Sequence, residues 1–413
     1  MTDNSTDASL PKEQQLAANA QEVVDGVIRL ATSVDHEPRI VWRGFLELTA
    51  AQTLQSRTGG NIDGALDSLA RVLDIECLLL KPEHLRLRGQ LEEIVSHAEL
   101  GPQAPEQRIA LVDAVRQAPQ HLGRAIGGAA YLPGWLGRSL AQFADPDRPA
   151  FCLHWGDSLL TANVLLSQVH RHQREPSFLT LDRDQTTVHN LRLILSLTSE
   201  HLEDIAESTL LQEEASSLSA LPLLSDLRPS LLGQRFGTVL VNLFSSDSGL
   251  TGRSTPLYDD LPSQLSQWLS PGGRAMLLSP SLLLDSERWR KFRGSVQAEL
   301  RLESVVEFGS SDVFANASAL GVALITLRRR QQAISRSVTV MGSGTPDAAE
   351  VSPAQLTDSL VSHLRDRETP GAQTSAMLFD RPTPEILDER WDPKFYSPAP
   401  AALQDELIGS PAA

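Results

Sequence analysis

Three places in the sequence combine residue types and spacing that could do chemistry, each where an apolar, β-rich run gives way to a turn. Ala150–Leu153 leads through His154 and Trp155 into Gly156-Asp157-Ser158, just ahead of a helical stretch. A glycine turn at a helix N-terminus lets the backbone approach a nucleotide-like ligand. With a single Gly and two bulky residues before it, the same turn also reads as a plain strand–helix connection capped by Asp157 or Ser158. The second run ends at Leu181-Asp182, 26 positions after Gly156. An acid at that offset can bond ribose hydroxyls, or cap the helix that follows. The third ends Val241-Asn242-Leu243-Phe244-Ser245. An Asn after an apolar run is ordinarily a turn residue. It becomes a candidate because ligands of an α/β sheet bind outside the carboxyl ends of its strands.

Other patterns carry less. His170 and His172 lie two apart on a helical stretch, so their rings fall on different faces and make no metal site. No GxxxxGK[ST], GxSxG or HExxH occurs, which excludes the corresponding nucleotide hydrolases, serine hydrolases and zinc proteases. Gly342-Ser343-Gly344 runs into Thr345-Pro346, not a helix, and is expected to be a turn. Arg328-Arg329-Arg330, the densest basic cluster, is expected to be a solvated strand end.

The elements that must position these residues follow from hydrophobic periodicity. Residues 1–10 are expected to be disordered. Residues 11–120 read as a helical domain, with apolar runs at helical spacing over Glu13–Thr32, Ile40–Leu54, Asp63–Leu73, Pro82–Ala98 and Pro105–Arg116. Ile75–Leu80 is the one strand-like stretch there. From Ala150, short β-rich runs alternate with helical ones: Ala150–His154, Ser177–Asp182, Thr238–Asn242, Arg274–Ser279, Ser304–Phe308 and Leu320–Leu327. Such alternation predicts a mostly parallel α/β sheet. The short link between the last two runs predicts an antiparallel pair at the sheet's edge. Ser335–Met341 is one further strand candidate, and residues 346–413 are Pro-rich and expected to be extended.

Composition sets outer bounds. The chain of 413 residues has 41% hydrophobic and 21% charged residues, a balance that excludes general disorder and suggests two or three domains. No apolar run reaches the ~18 residues of a membrane span. The polar, acidic start of the chain and two widely spaced cysteines, Cys77 and Cys152, point to a reducing cytoplasm. The net charge of −16 makes a poor stand-alone surface for nucleic acid, so any contact with DNA needs a local basic patch or a partner.

Taken in order, the strand ends resemble those of N6-adenine DNA methyltransferases, specifically the modification (M) subunits of type I restriction-modification systems. The resemblance runs from about Gly127 to Arg330. The family's G-x-F-[FY]-T-P loop is similar to Gly128-Ala129-Ala130-Tyr131-Leu132-Pro133, which keeps the Gly, the ring and the Pro. Its S-adenosylmethionine loop, D-P-x-x-G-[ST]-G, aligns with Cys152–Ser158, where the central Gly156 survives. Asp182 fits the ribose acid. The catalytic N-P-P-[FY] aligns with Asn242-Leu243-Phe244-Ser245, and Pro271-Gly272-Gly273-Arg274-Ala275 looks like the family's P-G-G-R-A strand start. Pro384–Pro398 resembles the segment that leads into the DNA-specificity region of specificity subunits and fused enzymes; it reads equally well as an ordered tail with aromatic anchors.

The resemblance implies a Rossmann-like S-adenosylmethionine-dependent methyltransferase fold over 121–345, preceded by the all-helical N-terminal domain. It implies S-adenosylmethionine as cofactor, held by Tyr131, Pro133, Gly156, Asp157 and Asp182, and catalytic roles for Asn242 and Phe244. It implies DNA as a partner, reached through a complex with a specificity-type or other defence subunit. In the family, the Asn side chain and the first prolyl carbonyl accept hydrogen bonds from the adenine amine, and the last ring stacks on the flipped base. Here the Pro-Pro pair is gone, Phe244 stands one position early and Ser245 replaces the ring. Accurate positioning supplies ~7–11 kcal/mol of many catalysed barriers, so the departures lead to an expectation of lost or weakened catalysis in a subunit of a restriction-modification or phage-defence complex. An active adenine-N6 methyltransferase is the alternative.

Overall fold

The computed structural model describes residues 12–33, 35–97, 150–153, 178–182, 185–197, 202–211, 235–243, 260–308, 321–330, 338–344, 353–366, 378–382 and 390–396, with a few isolated positions. It forms two compact units, Met1–Gly137 with Gly156–Glu213, and Arg138–Trp155 with Glu214–Ala413. The boundary expected near residue 120 lies outside the described residues. The helices of the first unit bond strongly to the stretch around residues 185–209, which groups with them.

In the first unit, α1 (Lys12–Ala31), α2 (Pro38–Thr58), α3 (Ile62–Val72) and α4 (Leu85–His97) follow the expected periodicity closely. Pro38 opens α2 where a missing N–H costs nothing. Gly59 closes it at φ 75°, the left-handed turn that suits glycine. The Asn61 side chain caps α3, accepting from Gly64 N–H at 2.8 Å. Helix α2 is the centre of this unit and packs against α1, α3, α4 and α5 (Gln185–Ser196).

Two buried charges organise it. Glu47 has no solvent exposure, and its carboxylate accepts from Arg43 Nε at 2.8 Å, Leu78 N–H at 3.0 Å, Leu79 N–H at 2.9 Å and the Cys77 thiol at 3.2 Å. This explains why Ile75–Leu80 is not the expected strand. Its N–H groups are taken by a carboxylate, and Leu78–Leu80 turns into a short 3-10 helix. Burial and the Glu47 carboxylate push the Cys77 thiol up to about 12. Arg43 also reaches Asn190 Oδ1 of α5 at 3.1 Å. The second charge, Arg192, donates to the carbonyls of Leu73, Asp74 and Thr209 and to the Thr209 hydroxyl, all within 2.9 Å. It thereby ties α5 to the turn after α3 and to α6 (Leu202–Ser208) and β3 (Thr209–Leu211), which lies parallel to β2 (Phe178–Asp182). Arg57 adds bonds to the carbonyls of Leu197 and Ser199, just beyond the end of α5.

The second unit is a sheet in the order β1-β4-β5-β7-β6-β8-β9. Its strands are β1 (Ala150–Leu153), β4 (Phe236–Asn242), β5 (Leu269–Pro280), β6 (Leu300–Phe308), β7 (Val322–Arg329), β8 (Val338–Gly344) and β9 (Leu378–Pro382). β1, β4 and β5 are parallel, and β7 runs antiparallel to both β5 and β6. The expected β6–β7 pair exists, but not at an edge. β7 inserts between β5 and β6, β8 pairs with β6, and β9 forms the rim, where Pro382 is tolerated.

Helix α7 (Leu261–Trp268) joins β4 to β5 and sets Trp268 edge-on to Phe151, which stacks on Phe236. The start of β5 explains its two glycines. Gly272 has φ 78°, and a Cβ on Gly273 would sit 2.9 Å from the Phe236 carbonyl of β4. Only a bare backbone lets β5 approach β4 there. Arg274 on β5 and Arg328 on β7 converge on Glu303 of β6 at 2.8 and 3.4 Å.

Beyond β5, α8 (Leu282–Asp285) and α9 (Arg290–Glu299) follow, joined by Arg293, which donates to the carbonyls of Leu283 and Ser286.

Three further expectations change. Gly342-Ser343-Gly344 is not a turn but the end of β8, because β6 and β9 both offer it strand partners over part of its length. Arg328-Arg329-Arg330 is not merely a solvated end. Besides the Arg328–Glu303 pair, Arg329 donates to the Leu269 carbonyl, and Arg330 to those of Leu300 and Gln297. The stretch after 346 is not simply extended. Pro353 opens helix α10 (Pro353–Asp366), which buries Leu356, Leu360, Val361 and Leu364 at helical spacing. Further on, Trp391 is fully buried, and α11 (Pro393–Tyr396) packs on β6 and β8.

Glu47→Gln leaves Arg43 buried without its carboxylate and is expected to cost ~3–5 kcal/mol of stability, measured by chemical denaturation. His189, on α5, is held at about 4, first by burial and then by the nearby Arg43 and Arg192 guanidinium groups. An unfolded His takes up its proton near ~6.5. Between the two values the unfolded state binds more protons, so stability is full above about 6.5 and falls as pH drops toward 4. Urea midpoints across this window are expected to fall with pH, and less so in His189→Gln.

Candidate functional site

The candidate site is built on the carboxyl end of β4. The strand Phe-Gly-Thr-Val-Leu-Val-Asn is buried along its whole length, as a central strand covered on both faces must be. Asn242 is its last residue, stands beside Leu278 of β5 and is only 1% exposed. β1 lies on the other side, with Leu153 beside Val241, so β1 ends one register step short of Asn242. Asn242 and Leu153, the last described residue of β1, thus share one edge of the second unit, where ligands of such sheets bind.

The next residue decides how the edge is finished. Leu243 donates its N–H to the Leu278 carbonyl at 2.8 Å, and its side chain is 1% exposed. The β4–β5 ladder therefore extends one residue past Asn242. A proline at this position has no N–H to give and would end the ladder at Asn242. Leu243 is part of the core, as the continuing apolar run implies.

The other expected site residues divide clearly. Tyr131, Pro133, Gly156, Asp157 and Phe244 lie outside the described residues. Asp182 closes β2 in the first unit, in register with Leu211, as expected of an acid at a strand end. The structure thus describes the backbone at Asn242 and Asp182, each in its own unit. Sequence inspection missed Leu278, whose carbonyl seats Leu243. No side-chain pattern signals a role played by a backbone oxygen.

Solved structures that share this arrangement include modification subunits. A type I restriction-modification methyltransferase subunit from Streptococcus thermophilus superposes with a TM-score of 0.61 over 92% of this chain and 98% of its own, at 10% identity. The two chains share a fold. A modification subunit of a putative type I restriction enzyme from Vibrio vulnificus gives 0.55 at 12% identity, over 92% of this chain and 94% of its own. A chain from a type I restriction-modification assembly gives 0.56 at 13% identity, over 97% and 96%. No family model and no curated protein sequence matches. The likeness to these structures, at 10–13% identity, is one of fold.

Within this fold, Leu243 serves as a core residue. Leu243→Ala is expected to cost ~2–5 kcal/mol, the range for a buried Leu, with thermal or urea unfolding as the measurement.

Proposed function

We propose that the protein is a methyltransferase-like subunit of a DNA restriction-modification or phage-defence complex, catalytically degenerate and acting in DNA binding or assembly. The observation that carries this reading is the seating of Leu243. The family resemblance implies a rigid Pro-Pro turn that presents a prolyl carbonyl to the adenine amine. In its place this chain has a leucine held in the sheet by a backbone bond and buried side chain. Asn242 beside it is itself almost inaccessible.

S-adenosylmethionine is the cofactor that the fold family implies, and when bound it would supply a methyl group for transfer. Asp182, at the end of β2, suits a ribose hydroxyl by position. The remaining residues that the resemblance assigns to the cofactor, Tyr131, Pro133, Gly156 and Asp157, retain only part of the family's pattern, and Trp155 adds bulk beside Gly156. We read this as a weakened cofactor site.

DNA, in this reading, is met through a complex. A chain of net charge −16 gains little from phosphate attraction alone. The solved assembly that shares the fold is a type I system, which supports a specificity-type or other defence subunit as partner. An active adenine-N6 methyltransferase is the second reading, favoured by one observation: an Asn stands at the end of β4, at the edge where β1 also ends.

Calorimetry with S-adenosylmethionine separates the two. The expected result is binding weaker than the low micromolar range; a dissociation constant in that range or tighter overturns the degenerate reading. Asn242→Ala in the assembled complex is expected to leave DNA binding intact and cost about 0.5–2 kcal/mol of stability, as loss of a local polar side chain does. Loss of DNA methylation in that variant would establish the active reading.

A further inference from the structure

The chain that leaves β5 folds into a tight, basic corner. The N–H groups of Leu284 and Ser286 close short turns onto the Ser281 and Leu282 carbonyls at 2.9 and 3.1 Å, and Trp289 N–H donates to Ser286 at 3.0 Å. Arg293, fully buried, locks these turns to α9 through the carbonyls of Leu283 and Ser286. The Trp289 ring stands edge-on to Phe292, with 5.8 Å between centroids. On this braced frame Arg288, Arg290 and Lys291 are all exposed. Asp285 and Glu287 are exposed beside them. Glu287 reaches Arg290 at 3.3 Å, but both side chains are open to solvent, so the pair is worth little and yields readily to another anion.

Topology fixes where the corner lies. β5 and β6 both run antiparallel to β7, hence parallel to each other, and α9 leads straight into β6. A helix that joins parallel strands runs back against them. The first turn of α9 therefore stands at the carboxyl end of the sheet, the end at which Asn242 closes β4. The cations there do not serve the helix. Its first turn is the positive end of the helix dipole, where Arg290 and Lys291 cost stability, and it carries no acid. By contrast, Arg274 and Arg328 are drawn to Glu303, and Arg329 and Arg330 to backbone carbonyls.

We propose that Arg288, Arg290 and Lys291 form a contact surface for the phosphate backbone of double-stranded DNA, at the end of the sheet that holds Asn242. This rests on the reading of the protein as a subunit of a DNA-directed complex, and adds which surface the duplex meets. The net charge of −16 does not forbid it. At ~0.1 M salt, charges more than about 10 Å away are largely screened, so a phosphate at the corner responds to the cations nearest it and not to the whole molecule. Contacts of this kind position a duplex without reading its sequence.

Fluorescence anisotropy of a labelled, mixed-sequence DNA duplex, titrated with the full chain at ~0.1 M salt, tests this. The parent is expected to bind with a dissociation constant of about 10⁻⁴–10⁻⁶ M, the range of sequence-independent contacts. R288A/R290A/K291A is expected to weaken binding about tenfold or more, uniformly across duplex sequences. A second triple, R29A/R71A/R86A, removes the same charge from exposed positions on α1, α3 and α4. It is expected to change binding by less than about threefold, since screening mutes remote charges. Thermal melts of both triples are expected to match the parent, as exposed substitutions do, and Arg288→Glu alone repeats the measurement with a single change. Equal losses in the two triples, or parent-like binding by the corner variants, overturns the proposal. A parent that does not bind also overturns it, and leaves the subunit reading to calorimetry with S-adenosylmethionine and to the Asn242 variant. Displacement of the duplex by polyglutamate as readily as by unlabelled DNA of equal charge would assign the corner to an acidic protein and overturn the DNA contact.

Discussion

The second unit depends on β5 being paired in two directions at once. It runs parallel to β4 on one side and antiparallel to β7 on the other, so every residue from Arg274 to Leu278 is fixed in register twice. The two glycines at its start allow the close approach to β4. Its end settles where the neighbouring strands stop: Leu278 receives Leu243, and Pro280 lies opposite Val322. The shape of the candidate edge is thus decided less by the residues on the edge than by the strand beside it.

The first unit is arranged on a different principle. Its helices are apolar on their inner faces, but their mutual placement depends on buried ions. A buried ion pair is weak evidence for stability, because the cost of desolvating both charges offsets their attraction. What it does fix is geometry. Glu47 accepts from a helix neighbour, two backbone groups and a thiol, and Arg192 donates to three carbonyls and a hydroxyl. Each leaves few alternative arrangements that keep a charge bonded. The pairing of α2 with α5 rests on such polar complementarity as well as on oil-like contact.

Much of this was legible in the sequence, and the misses have identifiable causes. Helices α1 to α4, the strands β4 to β7 and the place of Asn242 follow from periodicity and turn chemistry, both local signals. Ile75–Leu80 looked like a strand because its side chains suit one; its backbone is claimed by Glu47, about 30 positions earlier. The Gly342-Ser343-Gly344 stretch has turn composition, yet strand partners on either side decide its state. The β6–β7 pair was visible but its place was not, since a short link says nothing of what lies beyond. Pro353 and Pro393 suggested an extended tail by composition, whereas each begins a helix at its first position. The divergence of Asn242–Ser245 from the family's motif was plain, but its consequence needed the ladder bond to Leu278.

The arginine triplet at the end of β7 bears on how the protein meets a polyanion. Arg328 is drawn to Glu303, while Arg329 and Arg330 are turned to backbone carbonyls. The densest run of positive charge in the sequence is therefore largely occupied within its own fold and offers little to a phosphate chain. If a molecule of net charge −16 meets nucleic acid alone, it does so against a repulsive field. Added salt screens that field, so the encounter would quicken as ionic strength rises, the reverse of the behaviour of a basic DNA-binding protein.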